Sequence, residues 1–322
     1  MRVRILSSDA VRSTIDMPMA IEAMRDAFSA LAAGEATVPV RVALETSHGV
    51  SLFMPAHLKE RDSAGVKIVS VNEGNTQSGL PAIHAVVVVL DTLTGCPIAL
   101  MDGTWLTALR TGAVGGLATD LLARSDSTTV ALFGAGTQAR TQLEAVRCVR
   151  EIKRVRVVSH SGTSAQALVG ELSGVEAVSL SDPDEAVAGA DIIIAATSSS
   201  IPVFDGALVE PGTHVTGIGS FTTDMREVDA TLVERARVIV DQKEAALEEA
   251  GDIVGPIRDG LFGDDVIAGE IGDVVLGRIT GRTEPGEITY FKSVGNAVQD
   301  IAVAAKVLSV AEAEELGEIC DL

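Results

Sequence analysis

The sequence predicts an α/β protein with two domains, one built on a doubly wound parallel sheet and one of α+β type. Three observations support this fold class. Strands and helices alternate from residue 128 to residue 241, which is the order of a doubly wound domain. Several strands joined by short turns precede residue 110. A glycine-rich turn connects the first alternating strand to its helix.

The composition is that of a globular protein of this class. Apolar residues make up 47% and aromatic residues only 3% of the chain, so aliphatic side chains must fill a sheet that is buried on both faces. The formal charge of −20 excludes nucleic acid and anionic membranes as partners, because both would repel the chain. An anionic small molecule would therefore need a local cluster of Arg or Lys.

The cysteines and the N-terminal residues bear on the cellular compartment of the protein and on metal binding. Cys96, Cys148 and Cys320 are scattered, which excludes a disulfide framework and a zinc site built on paired cysteines. No histidine spacing typical of a metal site occurs, so we expect no metal ion. The first residues lack the apolar segment of a signal peptide, and we find no membrane-spanning run. We therefore expect a cytoplasmic protein.

The α+β domain is expected to begin with helices and to continue as a sheet. Apolar spacing predicts helical structure from Ser8 to Gly34, and Pro18 divides it into a short and a longer helix. Short connections favour an antiparallel or mixed sheet, and a hairpin turn is expected at residues 91–95. The predicted strands span residues 38–44, 50–54, 65–71, 82–90 and 97–101.

A long helix at residues 105–123 is expected to join the two domains. The strands predicted after it span residues 130–133, 154–159, 176–179, 192–196, 213–217 and 238–241. The helical tail at residues 293–316 is expected to pack back on the first domain. We therefore assign residues 1–112 and 300–322 to the α+β domain and residues 113–299 to the doubly wound domain.

The turn after the first alternating strand has the G-x-G-x-x-A spacing of a Rossmann-type dinucleotide-binding domain. Gly134 permits the tight turn, Gly136 lets a pyrophosphate approach the backbone, and Ala139 lets the helix pack on the strand. Free N–H groups at the helix N-terminus would face the phosphates. A turn without a ligand is the alternative. The predicted phosphate-binding residues are Gly134, Gly136, Thr137, Gln138 and Ala139.

The end of the next strand bears on the choice of dinucleotide. Domains that bind NAD carry an acidic residue there that bonds the adenosine ribose, but this chain has Ser159, His160 and Ser161. A carboxylate would repel a ribose 2′-phosphate, whereas hydroxyl groups and His160 would tolerate it. We therefore favour NADP(H) over NAD(H). The alternative is that the serines only cap the following helix.

Three cationic residues interrupt apolar segments of the first domain. Lys67 and Arg41 lie within predicted strands, and Arg110 lies within the long helix. A single lysine on a strand commonly faces solvent, but a buried charge needs a partner. If the three converge, the carboxylate of a small molecule is the natural counter-ion, because Arg binds it with two hydrogen bonds. Lys67 is also a candidate proton donor, since burial lowers the pKa of lysine.

A set of motifs spread over nearly the whole chain resembles the ornithine cyclodeaminase/mu-crystallin family. The motifs are Phe53-Met-Pro-Ala56, Gly65-Val-Lys67, Asn72-Glu-Gly-Asn-Thr76, Gly79-Leu-Pro81, Leu109-Arg-Thr-Gly-Ala113, Gly134-Ala-Gly-Thr-Gln-Ala139, Gly217-Ile-Gly-Ser220, Ser293-Val-Gly295 and Gln299-Asp300. The resemblance implies a homodimer in which one domain binds substrate and forms the dimer. It implies that the other, Rossmann-type domain binds NAD(H) or NADP(H).

The same resemblance implies roles for particular residues. Arg41, Lys67 and Arg110 are implied to hold the carboxylate of an amino or imino acid and to form the catalytic set. Small residues at the end of the fourth Rossmann strand, where cofactors lie, add Thr197. Beyond the glycine-rich turn, the expected cofactor-binding residues are Arg110, Thr111, Ser159, His160, Ser161, Thr197, Gly219, Ser293, Val294 and Gly295.

One departure from the family pattern favours a particular activity. Cyclodeaminases carry an aspartate at the position of Phe221, and Asp224 lies three residues further on. Phe221 can neither transfer a proton nor bind the distal ammonium of ornithine. We therefore expect an NAD(P)H-dependent reductase of cyclic ketimines, which converts Δ1-pyrroline-2-carboxylate or Δ1-piperideine-2-carboxylate to proline or pipecolate. Ornithine cyclodeaminase, alanine dehydrogenase and a mu-crystallin-like ligand-binding protein are the alternatives.

Overall fold

The computed structural model of the chain describes residues 1–59 and 62–322, with Glu73, Thr76 and Gln77 described by their backbone only. The chain divides into two compact units, which we call unit 1 (Met1–Arg110 and Asn296–Leu322) and unit 2 (Thr111–Gly295). The boundaries proposed from the sequence lie after residues 112 and 299. They are two and four residues beyond the boundaries in the structure, which lie after residues 110 and 295. Each unit contains one eight-stranded sheet.

Unit 1 combines a sheet with long helices. Its strands are β1 (Arg2–Leu6), β2 (Ala36–Thr37), β3 (Val42–Thr46), β4 (Gly49–Leu58), β5 (Ser63–Val71), β6 (Ile83–Asp91), β7 (Pro97–Asp102) and β16 (Glu318–Asp321). Its helices are α1 (Ser8–Thr14), α2 (Met17–Ala32), the first part of α3 (Gly103–Leu122) and α11 (Ala297–Ala313), with a 3-10 helix at Glu73–Ser78.

The sheet of unit 1 is mixed, as the short connections predicted. Its order is β16-β1-β7-β6-β5-β4-β2, and β3 pairs with β4. Strands β1 and β7 are parallel, and the other pairs are antiparallel. The strand predicted at residues 38–44 is wrong at its start, because β3 begins at Val42. Pro39 has no N–H group for a strand ladder, and Arg41 consequently lies just before β3.

The C-terminal helix α11 packs on unit 1, as expected. It contacts α1, α2 and the strands β4, β5 and β6. Gly65 of β5 permits this approach, because a Cβ there would lie 2.9 Å from Ile301 Cδ1 and 2.3 Å from Val88 O. The packing of α11 on β5 positions Asp300 beside Lys67.

Unit 2 alternates strands and helices along the chain. Its strands are β8 (Thr129–Phe133), β9 (Arg154–Val158), β10 (Glu176–Leu180), β11 (Ile192–Ala195), β12 (His214–Gly217), β13 (Arg237–Val240), β14 (Ile267–Glu270) and β15 (Thr289–Lys292). After the second part of α3, its helices are α4 (Thr137–Val149), α5 (Thr163–Glu171), α6 (Pro183–Val187), α7 (Ala230–Arg235), α8 (Lys243–Glu249), α9 (Gly251–Arg258) and α10 (Ile271–Val275), with 3-10 helices at Gly206–Leu208 and Asp264–Val266.

The sheet of unit 2 is parallel and doubly wound, which confirms the Rossmann-type fold. Its order is β10-β9-β8-β11-β12-β15-β13-β14, and every pair is parallel. The six strands predicted in this region match β8 to β13 within one residue at each end. The strand order reverses between β8 and β11, and ligands of such sheets bind at the carboxyl ends of the strands near this switch point.

Across residues 1–59 and 62–322, no helix has the length and apolar content that crossing a bilayer requires. The same described residues contain no group of three or more His, Cys, Asp or Glu side chains that could hold a metal ion. Cys96, Cys148 and Cys320 form no disulfide with one another.

Candidate active site

The glycine-rich turn lies between β8 and α4, at the switch point of the parallel sheet. Gly134 has a φ of +104°, and a Cβ there would lie 2.3 Å from Ala196 O, so the turn requires glycine. A Cβ on Gly136 would meet no atom within 4 Å, which leaves open space over the backbone. Ala139 is fully buried in the core between α4 and the sheet. These properties suit a turn over which a pyrophosphate lies.

The N-terminus of α4 is arranged for an anion. Gly136 is its N-cap and supplies no side-chain hydrogen bond, so Thr137 and Gln138 begin a helix that no side chain caps. Arg140 braces the turn by donating to the carbonyl oxygens of Ala135 and Gly136. The sequence prediction did not include Arg140, whose Nε and Nη2 also pair with Glu171 at 2.8 Å and 2.6 Å.

The hydroxyl groups after β9 form a helix cap. Ser164 Oγ lies 2.9 Å from both Ser159 Oγ and Ser161 Oγ. Ser159 Oγ also accepts a hydrogen bond from Ala165 N at 3.0 Å. These contacts match the capping alternative, while His160 between them is exposed.

Thr111 begins unit 2 and lies against α4. Its carbonyl oxygen accepts a hydrogen bond from Gln142 Nε2. A Cβ on Gly112 would lie 2.6 Å from Thr141 O, so α3 and α4 approach closely here. Thr111 is therefore held beside the helix that follows the glycine-rich turn.

The loops after β11 and β12 are joined through one carboxylate, that of Glu227. Its Oε1 accepts from Thr197 N at 2.6 Å and from Thr197 Oγ1 at 2.9 Å. Its Oε2 accepts from Gly219 N at 2.6 Å and from Ser220 N at 3.0 Å. Burial raises the pKa of Glu227, and its hydrogen bonds with Thr197 act in the opposite direction. The structure thus brings together Thr197 and Gly219, two of the predicted cofactor-binding residues.

The segment after β15 is held by a second buried carboxylate. Asp241 Oδ2 accepts from Ser293 Oγ at 2.7 Å, from Val294 N at 3.0 Å and from Gly295 N at 2.9 Å. Gly295 has a φ of +87°, which favours glycine. The sequence prediction did not include Asp241, although an acidic residue directly after the buried strand β13 was a usable signal.

Lys67, Arg110 and Asp300 form a buried cluster in unit 1. Lys67 Nζ lies 2.8 Å from Asp300 Oδ2, and Arg110 Nε lies 2.9 Å from Asp300 Oδ1. Their side chains are 1%, 7% and 0% exposed, respectively. Arg110 Nη1 also donates to Gln299 Oε1 at 2.5 Å. The sequence prediction included both cations but did not assign Asp300, which holds them together.

This cluster has more positive than negative charge. Burial lowers the pKa of Lys67 to about 8, and the charges of Arg110 and Arg41 act in the same direction. Asp300 opposes them, because a carboxylate stabilises the ammonium form. Arg41 is half-buried and lies near enough to act on Lys67. Among the described residues, Lys67 and Arg110 carry two positive charges beside the one carboxylate of Asp300, which leaves a charge that a ligand carboxylate would balance.

Phe221 follows the loop that Glu227 holds. Its side chain is 42% exposed, and Asp224 is exposed in the next turn. Ser220 Oγ donates to Met225 O at 2.8 Å, which closes this turn. An aromatic ring therefore lies at the carboxyl edge of the parallel sheet where cyclodeaminases are expected to have an aspartate.

Comparison with known proteins identifies relatives along the whole chain. The sequence profile of the ornithine cyclodeaminase/mu-crystallin family matches residues 1–315. A Δ1-pyrroline-2-carboxylate reductase of Bacillus cereus is 38% identical over 306 residues, which cover 93% of this chain and 94% of the relative.

Two solved structures share the complete fold. The Δ1-pyrroline-2-carboxylate reductase of Thermococcus litoralis, in complex with NADH and L-proline, is 38% identical with a TM-score of 0.95, covering 98% of this chain and 99% of that chain. An archaeal alanine dehydrogenase dimer with bound NAD is 36% identical with a TM-score of 0.96, covering 100% of both chains. These similarities confirm the fold class and the resemblance found in the sequence motifs.

Proposed function

Because this chain belongs to the ornithine cyclodeaminase/mu-crystallin family, we propose that it is an NAD(P)H-dependent reductase of cyclic ketimines. Its substrate is Δ1-pyrroline-2-carboxylate or Δ1-piperideine-2-carboxylate, and its product is proline or pipecolate. The observation that carries this proposal is the buried cluster of Lys67, Arg110 and Asp300, which has an excess of positive charge. The reductases of Bacillus cereus and Thermococcus litoralis support the choice of substrate.

Arg41 and Arg110 bind the carboxylate of the imino acid in this proposal. Asp300 and Gln299 occupy Nε and one hydrogen of Nη1 of Arg110, so they fix the plane of the guanidinium before substrate binds. Lys67 either pairs with the carboxylate or supplies the proton that the ring nitrogen needs. A pKa of about 8 leaves Lys67 protonated at neutral pH and able to release that proton.

Unit 2 provides the dinucleotide site. The open space over Gly136 and the uncapped N-terminus of α4 fit a pyrophosphate. Thr111, Thr197, Gly219 and the segment from Ser293 to Gly295 are the further cofactor-binding residues that we propose. The bound dinucleotide supplies hydride from C4 of its nicotinamide to the carbon of the C=N bond, while the protein aligns the substrate.

The preference for NADP(H) is a prediction that rests on the absence of a carboxylate directly after β9. The hydroxyl groups of Ser159 and Ser161 are engaged in the cap of α5, and both solved relatives contain NADH or NAD. Steady-state rates with NADH and NADPH at equal concentrations test this preference. A lower KM for NADPH than for NADH is the outcome expected of a 2′-phosphate site at Ser159, His160 and Ser161.

Alanine dehydrogenase is a second candidate, because the archaeal enzyme shares the whole fold. Phe221 favours ketimine reduction over cyclodeamination, since an exposed aromatic ring suits an apolar cyclic substrate better than the second amine of ornithine. The three cations also favour catalysis over simple ligand binding of the mu-crystallin kind.

We also propose that the chain forms a homodimer through unit 1, which would be the substrate-binding and dimerisation domain. Val40, Val42 and Leu44 lie at or beside the strand β3 and are 75%, 62% and 54% exposed. Exposed apolar side chains at every second position of one extended segment are typical of protein interfaces. The archaeal alanine dehydrogenase is a dimer, which agrees with this assignment. The cytoplasmic location expected from the sequence also remains a proposal.

One set of assays tests the function. Oxidation of NADH and NADPH is followed with Δ1-pyrroline-2-carboxylate, and ammonia release is followed from ornithine and from alanine in the presence of NAD+ or NADP+. We expect stoichiometric oxidation, proline as product and no ammonia from ornithine. Ammonia from ornithine with only catalytic amounts of cofactor would contradict the proposal and make Asp224 the candidate acid. Ligand binding without turnover of any imine would favour a binding protein instead.

A further inference from the structure

Glu227 is fully buried and stands outside the cluster of cations. Each of its two carboxylate oxygens serves a different loop. Oε1 accepts both hydrogen bonds from Thr197, which follows β11, and Oε2 accepts those from Gly219 and Ser220, which follow β12. One side chain therefore sets the distance between two loops at the carboxyl edge of the sheet.

The loops after β11 and β12 approach each other so closely that a side chain on Gly219 would clash with the opposite loop. A Cβ on Gly219 would lie 2.0 Å from Thr197 O and 2.5 Å from Glu227 Oε1. No side chain fits at this position without moving backbone atoms or the carboxylate. The alignment of the two loops thus depends on Glu227 and on the absence of a side chain at Gly219.

The carboxylate of Asp252 holds the backbone of Glu227 in place. Asp252 Oδ1 accepts from the backbone N–H groups of Glu227 at 2.6 Å and of Val228 at 3.1 Å. Lys292 Nζ lies 2.6 Å from Asp252 Oδ2, and Tyr290 OH donates to the same oxygen at 3.4 Å. Because Tyr290 and Lys292 belong to β15, the network links the carboxyl ends of three adjacent strands.

We propose that Glu227 is a positioning residue for the nicotinamide ring of the bound dinucleotide. In a doubly wound sheet, the glycine-rich turn after β8 holds the pyrophosphate and the end of β9 receives the adenosine ribose. The strands on the other side of the switch point, β11 and β12, receive the other mononucleotide half. This inference rests on the proposed function, since it assumes that unit 2 binds a dinucleotide.

The geometry requires a carboxylate and not merely a polar side chain. Four donors converge on Glu227, two on each oxygen. An amide keeps only one acceptor oxygen, and its NH2 group would face the donors of the other loop. Glu227→Gln therefore preserves size but releases either Thr197 or the segment Gly219–Ser220.

The test compares the affinities of NADH and ADP-ribose for the full-length protein, measured by isothermal titration calorimetry. ADP-ribose carries the adenosine, the pyrophosphate and the second ribose, and it lacks only the nicotinamide ring. We expect Glu227→Gln to weaken NADH binding about tenfold or more, because a charge-assisted contact is lost, and to leave ADP-ribose binding unchanged. Glu227→Asp keeps two acceptor oxygens and should give an intermediate affinity for NADH, and it remains testable if Glu227→Gln does not fold.

Asp229→Asn is the matched control. Asp229 lies two residues away and also binds backbone N–H groups, of Gly206 at 2.9 Å and of Leu232 at 2.8 Å, but it caps α7. We expect it to leave both affinities unchanged. Unchanged NADH affinity in both Glu227 variants would overturn the inference, as would equal losses for NADH and ADP-ribose, which indicate general destabilisation. If the wild-type protein bound neither of these ligands nor NADPH, the proposed function itself would fail.

Discussion

Two buried charge clusters, one in each unit, differ in the sign of their excess charge. In unit 1, Lys67 and Arg110 share the single carboxylate of Asp300. In unit 2, Glu227 and Asp252 face the single ammonium group of Lys292, which lies 2.6 Å from Asp252. The first cluster is cationic, whereas the second is anionic.

The difference between the clusters lies in how their charges are satisfied. The carboxylates of unit 2 accept hydrogen bonds from backbone N–H groups of neighbouring loops, which balance much of the negative charge. In unit 1, Lys67 and Arg110 share Asp300, and Arg110 also donates to the neutral amide of Gln299, so the positive charge of this cluster remains in excess. A buried cluster with excess charge suits a charged ligand, whereas one neutralised by backbone donors fixes loops.

The largest expected effect is that of Lys67→Met. Loss of the ammonium group removes a carboxylate partner or proton donor, so kcat/KM for the ketimine should fall by about 10²- to 10⁴-fold. Asp300 keeps Arg110 as its ion-pair partner in this variant, so the fold should be retained. A thermal unfolding curve recorded beside the kinetics separates loss of activity from loss of folding. Full kcat/KM in Lys67→Met would exclude the proposed role of Lys67.

Lys292→Met should affect stability more than chemistry. It leaves two buried carboxylates without their cation, and we expect a loss of about 3–5 kcal/mol in the free energy of unfolding, measured by urea denaturation. Lys153→Met is the control, because Lys153 is 66% exposed and pairs loosely with Glu151 at 3.8 Å. Its effect should stay within about 0.5 kcal/mol. Equal losses in the two variants would show that the buried cluster of unit 2 needs no cation.

His214 is buried and uncharged, unlike the residues of the two charged clusters. It therefore affects the stability of unit 2 only at acid pH. Burial lowers its pKa to about 3, helped by the charges of Arg282 and Arg150. Its ordinary pKa is 6.5, so only the unfolded chain takes up this proton as the pH falls between these values. The stability that the neutral ring contributes is thus complete above pH 6.5 and is lost toward pH 3.

The corresponding variant is His214→Gln, which keeps polar groups near Thr289 and Thr216 but cannot titrate. Between pH 7 and pH 5, its free energy of unfolding should decline by roughly 2 kcal/mol less than that of the wild type. Urea denaturation at both pH values measures the difference. An identical decline in the two proteins would assign the acid sensitivity to other groups.

The smallest expected effect is a shift in the pH profile by Asp300→Asn. In the wild type, kcat/KM should fall as the pH rises above about 8, because Lys67 loses its proton there. Asp300 raises the pKa of Lys67, so its removal should move this decline to lower pH. The difference in kcat/KM between the two proteins should be largest near pH 8 and above, where Lys67 of the variant is less protonated than that of the wild type.

Asp321→Asn, at an exposed position in β16, is the control for the Asp300 variant and should leave the profile unchanged. A profile that keeps its position in Asp300→Asn, with only a lower maximum, would mean that Asp300 does not set the ionisation of Lys67.

Local patterns in the sequence predicted six of the eight strands of the parallel sheet, and β14 and β15 were missed. Strands β8 to β13 were placed within one residue, because each is a short apolar run between helices and turns. The turn from Gly134 to Ala139 was predicted because its spacing of small residues stands directly between an apolar strand and a helix in the sequence. The terminal strands β1 and β16 were missed, since they form by pairing the two ends of the chain.

The two cations of unit 1 could be predicted because a charge inside an apolar segment is visible locally. Their partner Asp300 could not, since it lies in α11, more than 180 residues from Arg110, and approaches only when that helix packs on the sheet. Glu227 lies in an irregular loop where an acidic residue is ordinary, and its burial follows from the convergence of the loops after β11 and β12. Periodicity and turn chemistry act between near neighbours and are readable in the chain. The pairing of buried charges depends on long-range packing, which the tertiary structure alone establishes.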